Sequence, residues 1–135
     1  MNFLNCLKKF SFIKNVEVLD LRIFKAGFYV KMLVQFNDDS ILYIREYVDE
    51  NERSYSYHWQ TKEGKLIIRW DNAPHHKNIP TYPHHKHIKG DVLPNYAITC
   101  EEILKEIEQV LKSQKRVKNE PNEAKINQNT NVNEL

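Results

Sequence analysis

The chain has 135 residues, of which 41% are hydrophobic and 11% aromatic, and this composition predicts a single soluble globular domain. No apolar run reaches the length of about 18 residues that a membrane-spanning helix needs, so we expect no membrane association. Residues 1–10 lack the apolar core and cleavage site of a secretory signal. Cys6 and Cys100 lie far apart in no metal or redox spacing, which indicates reduced thiols in a cytoplasmic protein.

The formal net charge of +2 is unevenly distributed along the chain. Residues 58–90 hold six lysines and arginines against two acidic residues, a local charge of +4, so the rest of the chain sums to −2. All six histidines lie in the same segment. A positive region of this kind favours an anionic partner, and phosphate is the chemistry that we expect.

Residues 16–70 alternate between apolar and polar side chains over short segments, which is the period of β-strands. Turn-forming residues separate the segments, and the connections are too short for parallel crossovers. The sequence therefore predicts an antiparallel meander of about five strands. These predicted strands cover residues 16–24, 28–36, 41–48, 53–60 and 66–70.

One amphipathic helix is predicted near the C-terminus, over residues 99–114. Thr99 and Glu102 form a capping-box pattern, and apolar residues follow at helical spacing. This apolar stripe should cover one face of the sheet. Residues 3–14 favour a second, shorter helix.

From residue 115 the composition changes to Asn, Lys, Glu and Gln, which is typical of a disordered segment. We therefore predict one α+β domain over residues 1–114, in which the C-terminal helix packs on the meander beside a histidine-rich loop. A disordered polar tail is predicted over residues 115–135.

Strand alternation predicts one polar face of the sheet, which carries Arg45, His58, Arg69 and Asp71. Glu46 falls on the apolar face under the same scheme. Either Glu46 has a buried partner such as an arginine, or a bulge shifts the register of the strand there.

Five of the six histidines lie in two short bursts, at residues 75–76 and 84–87. Imidazole is the commonest metal ligand in proteins and the side chain that changes charge near neutral pH. The bursts therefore mark the segment where a function is expected. A structural role remains an alternative, in which histidines and prolines fix a long connection by bonding its backbone.

A metal site is one interpretation of the bursts. His85 and His87 share one side of an extended segment, and His75 or His76 could supply a third nitrogen to a catalytic zinc. Asp71 would be a further ligand or would orient a ligating histidine. The spacing matches no established zinc pattern, so this stays the alternative.

We favour acid–base catalysis without a metal or other cofactor. RNA cleavage needs a base for the 2′-hydroxyl, an acid for the leaving oxygen and a cation for the phosphate, and exposed aromatic rings can stack on bases. The candidate catalytic residues are His85, His87, His76, Asp71 and His58. The candidate phosphate- and RNA-binding residues are Arg69, Arg45, Lys86, Tyr57 and Tyr82.

Four motifs resemble one known family. They are Arg-Glu-Tyr at 45–47, Tyr-His-Trp-Gln at 57–60, Trp-Asp-Asn-Ala-Pro-His-His at 70–76 and Pro-His-His-Lys-His at 83–87. Over residues 16–112 the chain resembles the TumE-like toxins of prokaryotic toxin–antitoxin modules.

The resemblance implies a small cytoplasmic toxin paired with an antitoxin that carries a DNA-binding helix-turn-helix. Ribonuclease activity is inferred from class, because many toxins of this size cut RNA, and the resemblance implies no particular catalytic residues. Homodimer formation is left open. A metal-dependent phosphodiesterase or hydrolase and a non-enzymatic nucleic-acid-binding module remain the other function classes.

Overall fold

The computed structural model describes residues 3–119, with side chains described through residue 116. The fold is α+β, and its sheet is a seven-stranded antiparallel meander in which the strands lie in chain order. The elements are α1 (Phe3–Leu7), β1 (Ile13–Phe24), β2 (Gly27–Phe36), β3 (Ile41–Val48), β4 (Arg53–Gln60), β5 (Leu66–Asp71), β6 (His85–Ile88), β7 (Asp91–Pro94) and α2 (Cys100–Asn119).

The meander and α1 belong to one compact unit that ends at Ile98, and a second unit begins at Thr99. In the second unit the backbone N–H of Glu102 donates to Thr99 Oγ1 at 3.2 Å, as the capping-box pattern predicted. Helix α2 continues to Asn119, five residues beyond the predicted end. The remainder of the predicted tail, residues 120–135, lies outside the described residues.

Neither helix within the described residues has the length and apolar character needed to cross a lipid bilayer.

One face of the sheet forms the core of the first unit. Its largest side chains have no more than 2% of their surface exposed. They include Met32, Leu42, Ile44, Trp59, Ile68 and Trp70. Burial of side chains of this size contributes about 1.5–3 kcal/mol each before the entropic cost of folding is counted.

Glu46 is buried on this apolar face and has partners there. Arg53 Nε donates to Glu46 Oε1 at 2.6 Å, and the Tyr57 hydroxyl donates to the second carboxylate oxygen. Strands β3 and β4 pair without a register shift. Of the two alternatives for Glu46, an arginine partner without a bulge is therefore the one that the structure has.

The five predicted strands are all present, and the sheet has two more. The histidine-rich segment was predicted to be a loop, but His85 and His87 of its second burst lie in strand β6, which pairs with β5 and with β7. The turn between β6 and β7 is Lys89-Gly90, and both residues have positive φ, 52° and 81°. This is the geometry of a two-residue hairpin turn whose twist matches that of the strands.

Candidate active site on the polar face of the sheet

The strand registers arrange the polar face in two neighbouring rows that run across the sheet. The first row contains Arg45, Ser56, Asp71 and His85, and the second contains Tyr43, His58, Arg69 and His87. Side chains that face each other across neighbouring strands lie about 5 Å apart. The rows therefore join residues that are up to 44 positions apart in sequence, from Tyr43 to His87, on one surface.

Asp71 is the centre of this surface and is only 4% exposed. Its Oδ2 accepts from Arg69 Nε at 2.9 Å, and its Oδ1 accepts from the backbone N–H of Ala73 at 2.9 Å. His85 Nε2 lies 2.9 Å from Oδ1, and His87 Nε2 lies 3.4 Å from Oδ2. One buried carboxylate therefore holds an arginine and two imidazoles in fixed positions.

His85 has an acceptor at each ring nitrogen. Its Nδ1 lies 2.9 Å from the carbonyl oxygen of Pro83, and its Nε2 faces Asp71. A neutral imidazole carries one N–H and can satisfy only one of these acceptors. With 2% of its surface exposed, His85 does not reach bulk solvent.

His76 joins His85 and His87 to form a triangle of imidazoles. The ring centroids of His76 and His85 are 4.8 Å apart, those of His85 and His87 are 4.8 Å apart, and those of His76 and His87 are 5.6 Å apart. The rings meet edge to face, and each of the three offers a nitrogen within 4.8 Å of the others. Within residues 3–119, these three histidines are therefore the group that could hold a divalent metal ion.

His87 has a lowered pKa, chiefly because burial disfavours its charged form. Asp71 opposes this shift, while the nearby His85, His76 and Arg69 lower the pKa further. About a quarter of the side chain, 27%, is exposed. His87 is therefore a mainly neutral imidazole at pH 7 that a substrate can reach.

His58 and Arg69 contact each other in the second row. Arg69 Nη1 donates to His58 Nδ1 at 3.1 Å, so His58 accepts through that nitrogen. Burial and then the charge of Arg69 lower the pKa of His58. His58 and Asp71 thus hold the guanidinium of Arg69 from two sides, while 37% of the Arg69 side chain remains exposed.

The motif at residues 70–76 builds the loop that carries His76. Trp70 is fully buried, and Asn72 bridges to β4: its Oδ1 accepts from the backbone N–H of Tyr55, and its Nδ2 donates to the carbonyl oxygen of Arg53. At the other end of the loop, His84 Nδ1 lies 2.8 Å from the hydroxyl of Tyr55 on β4. The loop is therefore tied to the sheet at both ends.

A pocket of about 250 Å³ lies beside the histidines on the same face. The side chains that line it from this face include Tyr29, Arg45, Tyr47, Ser54, Ser56 and Arg69, and Asp71 lies at its edge toward the histidines. The sequence interpretation did not select the tyrosines and serines. Strand alternation could have selected them, because it places them on the same face as Arg45.

Several candidate residues lie elsewhere. Tyr57 is fully buried and its hydroxyl bonds Glu46, so it cannot stack on RNA bases. Lys86 alternates with the neighbouring histidines on β6 and therefore points to the opposite face. His75 is exposed beside the cluster, and Tyr82 is exposed in the loop before β6.

The toxin TumE family model matches residues 3–112 of the chain, which therefore belongs to this family. The match covers the whole meander and the first part of α2. Searches of curated proteins and of solved structures found no significant match. As a member of this family the protein is the toxin component of a toxin–antitoxin system, with an antitoxin as its partner.

Proposed function

We propose that this toxin is a ribonuclease that cleaves RNA by histidine acid–base catalysis. The observation that supports the proposal is the cluster around buried Asp71, where two imidazoles and an arginine meet at one carboxylate. Such a cluster supplies the three roles that the reaction needs: a base, an acid and a cation for the phosphate.

The reaction would proceed by attack of the 2′-hydroxyl on the neighbouring phosphate. His87, mainly neutral at pH 7, accepts the hydroxyl proton as the new oxygen–phosphorus bond forms. His76, on the rim of the cluster, gives a proton to the 5′-oxygen as its bond to phosphorus breaks. The products are a 2′,3′-cyclic phosphate and a 5′-hydroxyl, so the protons balance.

The buried residues position the reacting ones. His85 contacts Asp71 through Nε2 and is buried from solvent, so we assign it a positioning role. His58 and Asp71 hold Arg69, whose exposed guanidinium edge would bind the phosphate. Under this proposal His87, His76 and Arg69 contact the RNA. The other three catalytic candidates, His85, His58 and Asp71, hold those residues in position.

The partner and location belong to the same proposal. We propose that the toxin acts in the cytoplasm without a cofactor and that a helix-turn-helix antitoxin neutralises it. Expression in a host cell with and without the neighbouring gene, followed by mapping of RNA ends, tests this directly. Growth arrest with new RNA ends, both relieved by the neighbouring gene, is the expected result.

Substitution tests the assigned roles. His87→Ala and Arg69→Ala should each lower the cleavage rate on the order of 100-fold or more. His85→Ala should lower both the rate and the melting temperature, because it removes a buried partner of Asp71. His75→Ala is the matched control and should leave the rate unchanged. Folded His87→Ala and Arg69→Ala proteins that stay as toxic as the parent would refute the acid–base assignment.

A metal-dependent phosphodiesterase is the second candidate, and the triangle of His76, His85 and His87 favours it. Removal of metal ions by a chelator distinguishes this metal-dependent enzyme from the acid–base ribonuclease. Cleavage that survives EDTA supports the acid–base reaction, whereas loss with EDTA and recovery with zinc or manganese supports the metal. RNA that is bound but never cut would identify a nucleic-acid-binding module instead.

A further inference from the structure

We propose that the pocket beside the histidine cluster, lined by Tyr29, Arg45, Tyr47, Ser54, Ser56 and Arg69, binds one nucleotide of single-stranded RNA next to the cleaved phosphate. The inference deepens the proposed function and rests on it. We call this site the tyrosine–arginine pocket.

The aromatic wall of the pocket is a cross-strand pair. Tyr29 on β2 lies directly opposite Tyr47 on β3, so both rings stand on the polar face. Both residues are part exposed. The Tyr47 hydroxyl donates to Asp49 Oδ2 at 2.8 Å, and its ring lies 5.8 Å from that of Phe24, so the ring is held in place. A ring that is fixed and part exposed is a platform for an unpaired base.

The charges of the pocket favour an anion. Arg45 is exposed and Arg69 is part exposed, and both line the pocket. Two carboxylates also line it, but each is paired with an arginine: Asp71 with Arg69, and Glu46 with Arg53 on the opposite face. The charge of Arg45 is in excess of these pairs and is suited to a phosphate.

The position of the pocket connects it to the reaction. Arg69 both lines the pocket and bonds Asp71, so a nucleotide in the pocket has its phosphate beside the cluster. Tyr47 and Arg45 lie on β3 and Asp71 lies on β5, two strands away, a span of about 10 Å at the usual strand spacing. The volume of about 250 Å³ is below the range of drug-sized pockets, about 300–1,000 Å³, and suits a single base.

Binding of an uncleavable probe tests the pocket without relying on catalysis. The probe is a fluorescein-labelled single-stranded 2′-O-methyl oligoribonucleotide, which lacks the attacking hydroxyl, and the readout is fluorescence anisotropy. Tyr47→Leu and Tyr29→Leu should each weaken binding about tenfold, because base stacking on an aromatic ring is lost. Tyr47→Phe keeps the ring and should bind like the parent.

Two further comparisons test the charge of the pocket and its preference for single-stranded over double-stranded RNA. Arg45→Gln should weaken binding and lower the slope of log affinity against log salt concentration by about one. Tyr96→Leu and Arg116→Gln are matched controls, since both residues are exposed and neither lines the pocket. A duplex of the same sequence should compete poorly, because its bases are already stacked.

The results distinguish failure of the pocket proposal from failure of the ribonuclease proposal. Folded leucine variants that bind the probe as tightly as the parent would overturn the inference, and so would equal losses in the controls. Variants that keep RNA affinity but lose antitoxin binding would make the pocket a protein interface instead. Pocket-dependent binding without any cleavage of ordinary RNA would leave the pocket standing and refute the proposed ribonuclease.

Discussion

Replacement of Asp71 by asparagine is the sharpest perturbation of the cluster, because it removes one charge and almost no volume. In either orientation of the new amide, its NH₂ group faces a donor, which is Arg69 Nε in one orientation and the backbone N–H of Ala73 in the other. At least one charge-assisted hydrogen bond is therefore lost, and such a bond contributes about 1.5–3 kcal/mol.

The exposure of Arg69 sets how much Asp71→Asn should lower the free energy of unfolding. Breaking a fully buried ion pair costs about 3–5 kcal/mol, because the partner charge is left without water. Here 37% of the Arg69 side chain is exposed, so water partly replaces the lost carboxylate. We expect Asp71→Asn to lower the free energy of unfolding by about 2 kcal/mol and the melting temperature by about 8 °C.

Urea unfolding followed by tryptophan fluorescence measures this cost, because Trp59 and Trp70 are fully buried reporters of the core. Asp39→Asn is the matched control: its carboxylate pairs with Lys14 Nζ at the same 2.9 Å, but at the surface. The control should leave stability nearly unchanged. If Asp71→Asn has no larger effect than the control, Asp71 does not hold the cluster together.

Two further predictions concern pH and backbone geometry. Burial lowers the pKa of His58 and His84, so below about pH 6.5 the folded chain binds fewer protons than the unfolded one. The free energy of unfolding should therefore be constant above about pH 6.5 and fall as the pH drops below it. A melting temperature that rises on acidification would contradict this. A Cβ at Gly27 would lie 1.9 Å from the carbonyl oxygen of Val48, whereas one at Gly64 meets nothing within 4 Å. Gly27→Ala should therefore cost about 3 kcal/mol or more in urea unfolding, clearly above the cost of Gly64→Ala, which reflects its positive φ alone.

The sequence predicted much of the face that carries the site. Period-2 alternation follows directly from strand geometry, so placing Arg45, His58, Arg69 and Asp71 on one face needed only the correct strands. The registers confirm this placement. The same argument left two alternatives for Glu46, a partner or a bulge, and the structure has the partner, Arg53.

The hairpin of β6 and β7 was missed for a physical reason. Each strand has four residues, too few for a period-2 signal, and the turn is Lys-Gly rather than the Asn-Gly or Asp-Gly that marks such turns. Pairing with β5 supplies the stability that the local sequence does not show. This pairing also buries His85 and leaves His87 accessible, a difference that alternation along one segment cannot reveal.

The central claim is that the cluster cuts RNA without a metal, and the ends of the RNA test it most directly. Purified toxin is incubated in EDTA with an oligoribonucleotide and with the same oligomer carrying one 2′-deoxy residue at the cleaved position, and the products are identified by mass spectrometry. We predict 2′,3′-cyclic phosphate ends from the first, no cleavage of the second, and loss of the products with His87→Ala. Intact RNA in EDTA, or cleavage that continues at the 2′-deoxy position, would contradict the account.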